Sequence, residues 1–186
     1  IDPMEMRLKN AAKQGTKTSY GPTLGVVGNV ETMEAAKRHE HYSTPLGKNQ
    51  GRGVASGFWF NVGGETSCAV SLLEDGSVMV TSGSPDIGGS RASLCNMAAE
   101  VLGCHFENVK AIIADTSSLG FNRHTGGSRV TFAAGIVVTD ATKDMVQQLR
   151  ERAALIWDID VDAVEWVDGE ARPAGPNAGD FEPLTL

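Results

Sequence analysis

The stretch "SVMVTSGSPDIGGSRASLCNMAAEVLG", residues 77–103, contains a strand pattern, a glycine loop and a helix pattern in direct succession. Residues 78–81 are β-rich. After "DIGGS", the residues Leu94, Met97, Ala98, Val101 and Leu102 recur at i, i+3, i+4, i+7 and i+8, which is one face of a helix. Ser90 is placed to cap that helix and Gly103 to stop it. The stretch predicts strand, loop, helix.

Outward from it, Cys68, Val70 and Leu72 alternate with smaller or polar residues. Asp75-Gly76 then separates this run from 78–81, a strong hairpin signal. Downstream, "VKAIIADT" (109–116) reads as a short buried strand. Residues 117–129 read as a loop, 130–157 as a long helical stretch broken near Gly135, and 163–173 as a strand and a turn. Near the start, 4–14 is a helix pattern ending at Gly15, 31–39 a second short helix, and "GRGVASGFWFN" (51–61) a glycine-rich strand. This order predicts an α+β fold: a mixed β-sheet with a β-hairpin, covered by helices. Residues 1–172 read as one domain and 173–186 as a linker-like tail. With Ile at position 1 and that tail at the other end, the chain reads as a piece truncated at both ends.

Composition bounds the function. With 186 residues, 41% hydrophobic and 21% charged, the chain is in the soluble globular class. A net charge of −7 disfavours non-specific binding to nucleic acid or anionic membranes. No apolar run approaches the roughly 20 residues of a membrane span, so no membrane insertion is expected. Three cysteines, Cys68, Cys95 and Cys104, form no CxxC and read as reduced thiols of a cytoplasmic protein.

The chemistry lies in two similar loops, "IGGSR" (87–91) and "TGGSR" (125–129), each ahead of a helix pattern. A helix N-terminus carries unpaired N–H groups and partial positive charge, and glycine lets an oxyanion approach them closely. Ile87, Gly88, Gly89 and Ser90, with Thr125, Gly126, Gly127, Ser128 and Arg129, are therefore candidate phosphate- or pyrophosphate-binding residues. Arg91 or Arg129 could add charge. Either loop is read as well as a plain turn and cap, and the residues alone leave both readings open. Neither loop is a GxGxxG or Walker sequence. His39, His41, His105 and His124 lack partners at metal-ligand spacing; His124, inside the second loop, is read as a surface or a ligand-contacting residue. Asp158, Asp160, Asp162 and Glu165 read as a solvated turn, since the EF-hand pattern fails. No catalytic or metal-binding residue set stands out.

Taken together these stretches resemble the molybdopterin-binding large subunit of the molybdenum hydroxylases, the xanthine dehydrogenase, aldehyde oxidase and carbon monoxide dehydrogenase family. "DPMEMRLKNAAKQG", "GRGVASGFW", "LLEDGSVMVTSGSPDIGGSRAS", "AAEVLG" and "DTSSLGFNRHTGGSRVTFAAG" match its pieces in family order. The resemblance implies one lobe of a molybdenum-cofactor-binding domain. It places Ile87, Gly88 and Gly89, and Thr125, Gly126, Gly127 and Ser128, at cofactor-contacting positions. It implies a parent oxidoreductase that hydroxylates aldehydes or N-heterocycles or oxidises carbon monoxide. The implied cofactor is molybdenum-molybdopterin, which in bacterial members commonly carries a cytosine nucleotide. Iron–sulfur clusters and FAD would sit on partner subunits or domains, beside the rest of the large subunit. Many members read Met-Gly-Gln-Gly in the first loop, whereas here Gly89 takes the Gln position and Ser90 the following Gly. The family's catalytic glutamate would lie beyond Leu186, so the piece alone is expected to be inactive, and its uncovered apolar faces to drive self-association. The alternatives are a cofactor-free binding or assembly module of the same fold, and a phosphate-ester-binding domain of another enzyme class.

Overall fold

The computed structural model describes residues 1–59 and 63–186, which divide into two units, Ile1–Phe58 and Trp59–Leu186. In the first unit, α1 (Pro3–Lys9) starts where the Asp2 carboxylate accepts the N–H groups of Met4 and Glu5, at 2.8 and 2.9 Å. It ends six residues ahead of Gly15, because the Asn10 amide folds back to donate to the Met6 carbonyl. α2 (Asn29–Arg38) and α3 (Glu40–Ser43) follow. Tyr42 Oη donates to Asp2, and Lys37 pairs with Glu5, so polar contacts tie the three helices together. Only Met4 and Met33 are buried apolar residues here. The expected strand at 51–61 is not formed over 51–59, and Phe60 and Asn61 lie outside the described residues. Its main chain takes arginine instead of a strand neighbour: Arg7 donates to the Val54 carbonyl at 2.8 Å.

The second unit has the expected α+β architecture. β1 (Cys68–Leu72) and β2 (Val78–Ser82) form the antiparallel hairpin, with Val70 opposite Val80. Its turn is closed by Asp75, which accepts both the N–H and the hydroxyl of Ser77, while Gly76 takes φ +78°. α4 (Ser90–Leu102) crosses over and returns the chain to β3 (Val109–Ile113), which runs parallel to β2. β3 is shorter than the 109–116 expectation and is an edge strand rather than a fully buried one, since alternate residues face outward and Ile112 is 43% exposed. A π-helical turn, Val130–Ala134, leads without interruption into α5 (Gly135–Trp157). The irregularity expected near Gly135 is this wider turn. A Cβ at Gly135 would stand 2.8 Å from Met97 Sδ, so glycine there permits α5 to lie close on α4.

Period two in β2 and period 3.6 in α4 build one core. Val78, Val80 and Val109 meet Leu94, Cys95, Ala98, Ala99 and Leu102, with Ala134 and Val138. A second sheet carries β4 (Val164–Val167), β5 (Glu170–Pro173) and β6 (Leu184–Thr185), all antiparallel. Asp168 and Gly169 both have positive φ, the two-residue geometry of a tight hairpin. Val164 and Ala171 pack with Ala153, Ala154 and Trp157 of α5. Residues 173–186, linker-like in composition, place Phe181 in a stack on Trp157 at 5.7 Å before Leu184 and Thr185 pair with β5. Among the described residues, no helix is long and apolar enough to cross a membrane.

The three cysteines are free, and burial raises each thiol above the usual cysteine range, with Asp140 adding to the effect at Cys68. Thiolate, the reactive form, is then scarce at neutral pH. Iodoacetamide should label the native chain more than about tenfold slower than the urea-unfolded chain; equal rates would mean exposed, unshifted thiols.

Gly103 sets the end of α4 against the turn between β4 and β5. It ends α4 with φ +74°, and a Cβ there would lie 2.7 Å from Gly169 N and 2.8 Å from Asp168 Cα. Backbone cannot give way as a side chain can. Gly103→Ala should therefore cost about 2–4 kcal/mol in urea unfolding. A loss below about 0.5 kcal/mol would show that this contact is not a close one.

Candidate functional site

The two glycine loops arise side by side. β2 and β3 are parallel neighbours, with Ser82 opposite Ile113, and each leads into a loop at its carboxyl end. Residues 83–89 lead to α4, and residues 114–129 lead to the π turn and α5. Ligands of α/β sheets bind outside such strand ends.

The first loop is tightly self-bonded. Gly88 and Gly89 take φ +64° and +81°, a left-handed pair that glycine adopts without Cβ strain. Nothing lies within 4 Å of a Cβ built on either, so both face open space, and Ile87 is exposed. Ser90 does not act as the expected N-cap. Gly89 holds that position, and buried Ser90 Oγ accepts from Ile87 N at 3.2 Å and donates to the Pro85 carbonyl at 3.3 Å. The capping acceptor is Asp86, whose carboxylate takes the Arg91 N–H at 3.1 Å. The exposed Arg91 side chain pairs with the same carboxylate at 3.7 Å. A negative group of the chain itself thus sits at this helix N-terminus, where an anion is favoured.

The second loop is organised differently. Gly127 and Ser128 take φ +60° and +56°. The N–H groups of Gly126, Gly127 and Ser128 make no hydrogen bond to any described residue, and neither do the hydroxyls of exposed Thr125 and Ser128. Arg129 lies under the loop, 1% exposed. Its guanidinium donates to the carbonyls of Gly63, Gly64 and Glu65 at 3.1, 3.0 and 2.9 Å, to the Arg123 carbonyl at 2.9 Å, and to Thr66 Oγ1. The side chain is therefore not presented to a ligand; it fastens residues 63–66 to the loop. Its partners are neutral, and no ion pair neutralises it among the described residues. Residues 116–139 contain no Asp or Glu, although the chain as a whole carries −7. His124 lies exposed over the loop, its ring 3.4 Å from where a Cβ of Gly126 would be.

The structure brings the loops together through residues that the sequence reading did not single out. Asn122, oriented so that its oxygen meets donors, accepts from Gly83 N at 3.2 Å and Ser84 N at 3.1 Å in the stem of the first loop. Its amide also lies 3.3 Å from Thr66 Oγ1. Two buried hydroxyl oxygens without a partner among the described residues, Ser84 Oγ and Ser67 Oγ, border this region, Ser67 Oγ 3.7 Å from the Cβ position of Gly120. A polar residue in a glycine loop, as Asn122 is, carries no periodic signal. His39 Nδ1 accepts from His41 N, Asp160 caps a short turn, and no cluster of three potential metal ligands occurs among the described residues.

Comparison with known proteins adds a family. A family model described as a molybdopterin cofactor-binding domain matches residues 29–184. The chain is 28% identical over 202 residues to the nicotine 6-hydroxylase large subunit of Paenarthrobacter nicotinovorans, covering 94% of this chain and 24% of that protein. It is 29% identical over 173 residues to the xanthine dehydrogenase molybdenum-binding subunit of Escherichia coli O157:H7, covering 84% and 23%. Among solved structures, the Cu,Mo-CO dehydrogenase in its carbon monoxide reduced state has the same fold over 59% of this chain and 14% of its own, with a TM-score of 0.56 at 22% identity. The chain spans about a quarter of the length of the two curated relatives.

Arg129 holds the second loop by its fork of donors, which an ammonium with three donors cannot reproduce. Arg129→Lys should lose at least two of the five hydrogen bonds and about 2–4 kcal/mol of stability in urea unfolding. A wild-type midpoint in that variant would show that the buried fork does not organise the loop.

Proposed function

Because the chain belongs to the molybdopterin cofactor-binding domain family, we propose that its two glycine loops hold the phosphate-bearing part of a molybdopterin cofactor. The single observation that carries this reading is the second loop: three main-chain N–H groups without a described partner, above a buried guanidinium whose described partners are all neutral oxygens. A phosphate needs such N–H donors and excess positive potential. The orphaned hydroxyls of Ser84 and Ser67 beside the loops fit a polar ligand as well. Thr125, Gly126, Gly127 and Ser128 would hold the phosphate oxygens, and Gly88 and Gly89 would offer further N–H groups. Arg129 would act through its charge and by holding the loop.

When bound, the cofactor would supply two-electron redox chemistry at molybdenum. The residues of this chain bind and orient it; none of them is assigned a proton-transfer or nucleophilic role. The parent protein would be a molybdenum-dependent oxidoreductase that hydroxylates aldehydes or N-heterocycles or oxidises carbon monoxide, and this chain alone would be inactive. The nicotine hydroxylase relative supports the N-heterocycle class. The cofactor would be in the cytosine dinucleotide form, with iron–sulfur and FAD subunits or domains as partners in a cytoplasmic assembly.

One observation favours a second reading, a cofactor-free assembly module. The carboxylate of Asp86 already caps α4, as in a plain capped turn. Calorimetric titration with inorganic pyrophosphate separates the two readings. Asp tolerates the left-handed backbone of position 127 better than most residues, so Gly127→Asp places a negative charge in the loop with little strain. The wild-type chain should bind, and Gly127→Asp should bind at least about tenfold more weakly. Equal binding by both, or none by the wild type, would leave the loops as turns and favour the module.

A further inference from the structure

We infer that Asn122 is a positioning residue that makes the two glycine loops one grip, so that an anion bound at the second loop orders the first. The inference rests on the reading of the second loop as an anion site. Its support is an unbroken series of contacts. The Arg129 guanidinium, under the second loop, donates to Thr66 Oγ1. Thr66 Oγ1 lies 3.3 Å from the amide of Asn122. That amide accepts from Gly83 N and Ser84 N, and Ser84 N also lies 3.3 Å from Ser82 Oγ. Ser84 is followed by Pro85, whose fixed φ leaves little freedom between the two. The Pro85 carbonyl accepts from Ser90 Oγ, which in turn accepts from Ile87 N, next to Gly88.

Close packing makes the link stiff. A Cβ at Gly83 would stand 2.6 Å from the Asn122 amide and 3.0 Å from its Cβ, so the first-loop stem touches Asn122 with no room to spare. The stems are also joined where the Ala114 N–H meets the Ser82 carbonyl at 2.8 Å. Asn122 itself belongs to the second loop, six residues ahead of Ser128. A ligand that fixes residues 125–128 therefore fixes Asn122, and through it Ser84 and the Pro85–Ser90 contact. The Asn122 side chain touches no ligand in this arrangement; it acts through the main chain of the first loop.

Hydrogen exchange measured by mass spectrometry on the 186-residue chain tests this, with labelling times of seconds and inorganic pyrophosphate as the probe. In the wild type, pyrophosphate should slow exchange in peptides covering 83–93 and 123–132 by about threefold or more. In Asn122→Ala the slowing should persist at 123–132 and vanish at 83–93. Asn122→Asp, whose carboxylate can accept the same two N–H groups, should restore it. A merely structural role would change exchange with and without the probe alike, and would leave this difference unmoved. Slowing at 123–132 alone in the wild type, or at both segments in Asn122→Ala, would overturn the inference and leave the anion site standing. No slowing at either segment in the wild type would overturn both. Should Asn122→Ala not fold, Asn122→Leu, which keeps the bulk of the side chain and removes the acceptor of both N–H groups, takes its place with the same expected and contrary outcomes.

Discussion

The buried guanidinium of Arg129 is the constraint on which the site depends. A charge taken from water must be met by hydrogen bonds. Here it is met by main-chain carbonyls of residues 63–65 and 123 and by the Thr66 hydroxyl. Those acceptors come from two separate stretches of chain, so one side chain fixes the course of both. Because the partners are neutral, the cation is held without being cancelled. The loop above it has N–H groups without a partner among the described residues, no acidic side chain and a helix N-terminus. These features act in the same direction on an approaching anion.

The first loop solves the same local problem in another way. Its helix also follows two glycines, beginning at Ser90, yet Asp86 supplies the negative group from within. Ser90 closes the turn on itself. What remains for a ligand is the backbone of Gly88 and Gly89, open to solvent and free of side chains. The similar tetrads thus give unlike loops: one lies over a buried cation, the other carries a carboxylate and presents bare backbone. Parallel pairing of β2 and β3 sets them next to each other.

Much of this was legible in the sequence. Asp75-Gly76 marks the hairpin, the spacing from Leu94 to Leu102 marks α4, and Gly103 marks its end, because each depends on local geometry. The helical stretch from 130 to 157 was legible for the same reason, though its π turn was not. Asp168-Gly169 carried a hairpin signal as clear as the first, and the reading of a single strand and turn there passed over it. What the sequence hid depends on distant partners. The stretch 51–61 has strand-like residues but no strand beside residues 51–59 among the described residues. Leu184 and Thr185 pair with β5 despite the linker-like composition around them. In the site, the glycines and serines were visible as a motif, whereas the inward turn of Arg129 and the reach of Asn122 to Ser84 were not, since both rest on residues about 40 to 65 positions away.

The most direct measurement is the molybdenum and pterin content of the polypeptide that carries this chain, purified folded from a host that makes the cofactor. Molybdenum and pterin each near one per chain are expected if the loops hold the cofactor. A well-folded protein with neither metal nor pterin would contradict that and leave a binding module whose two loops are turns.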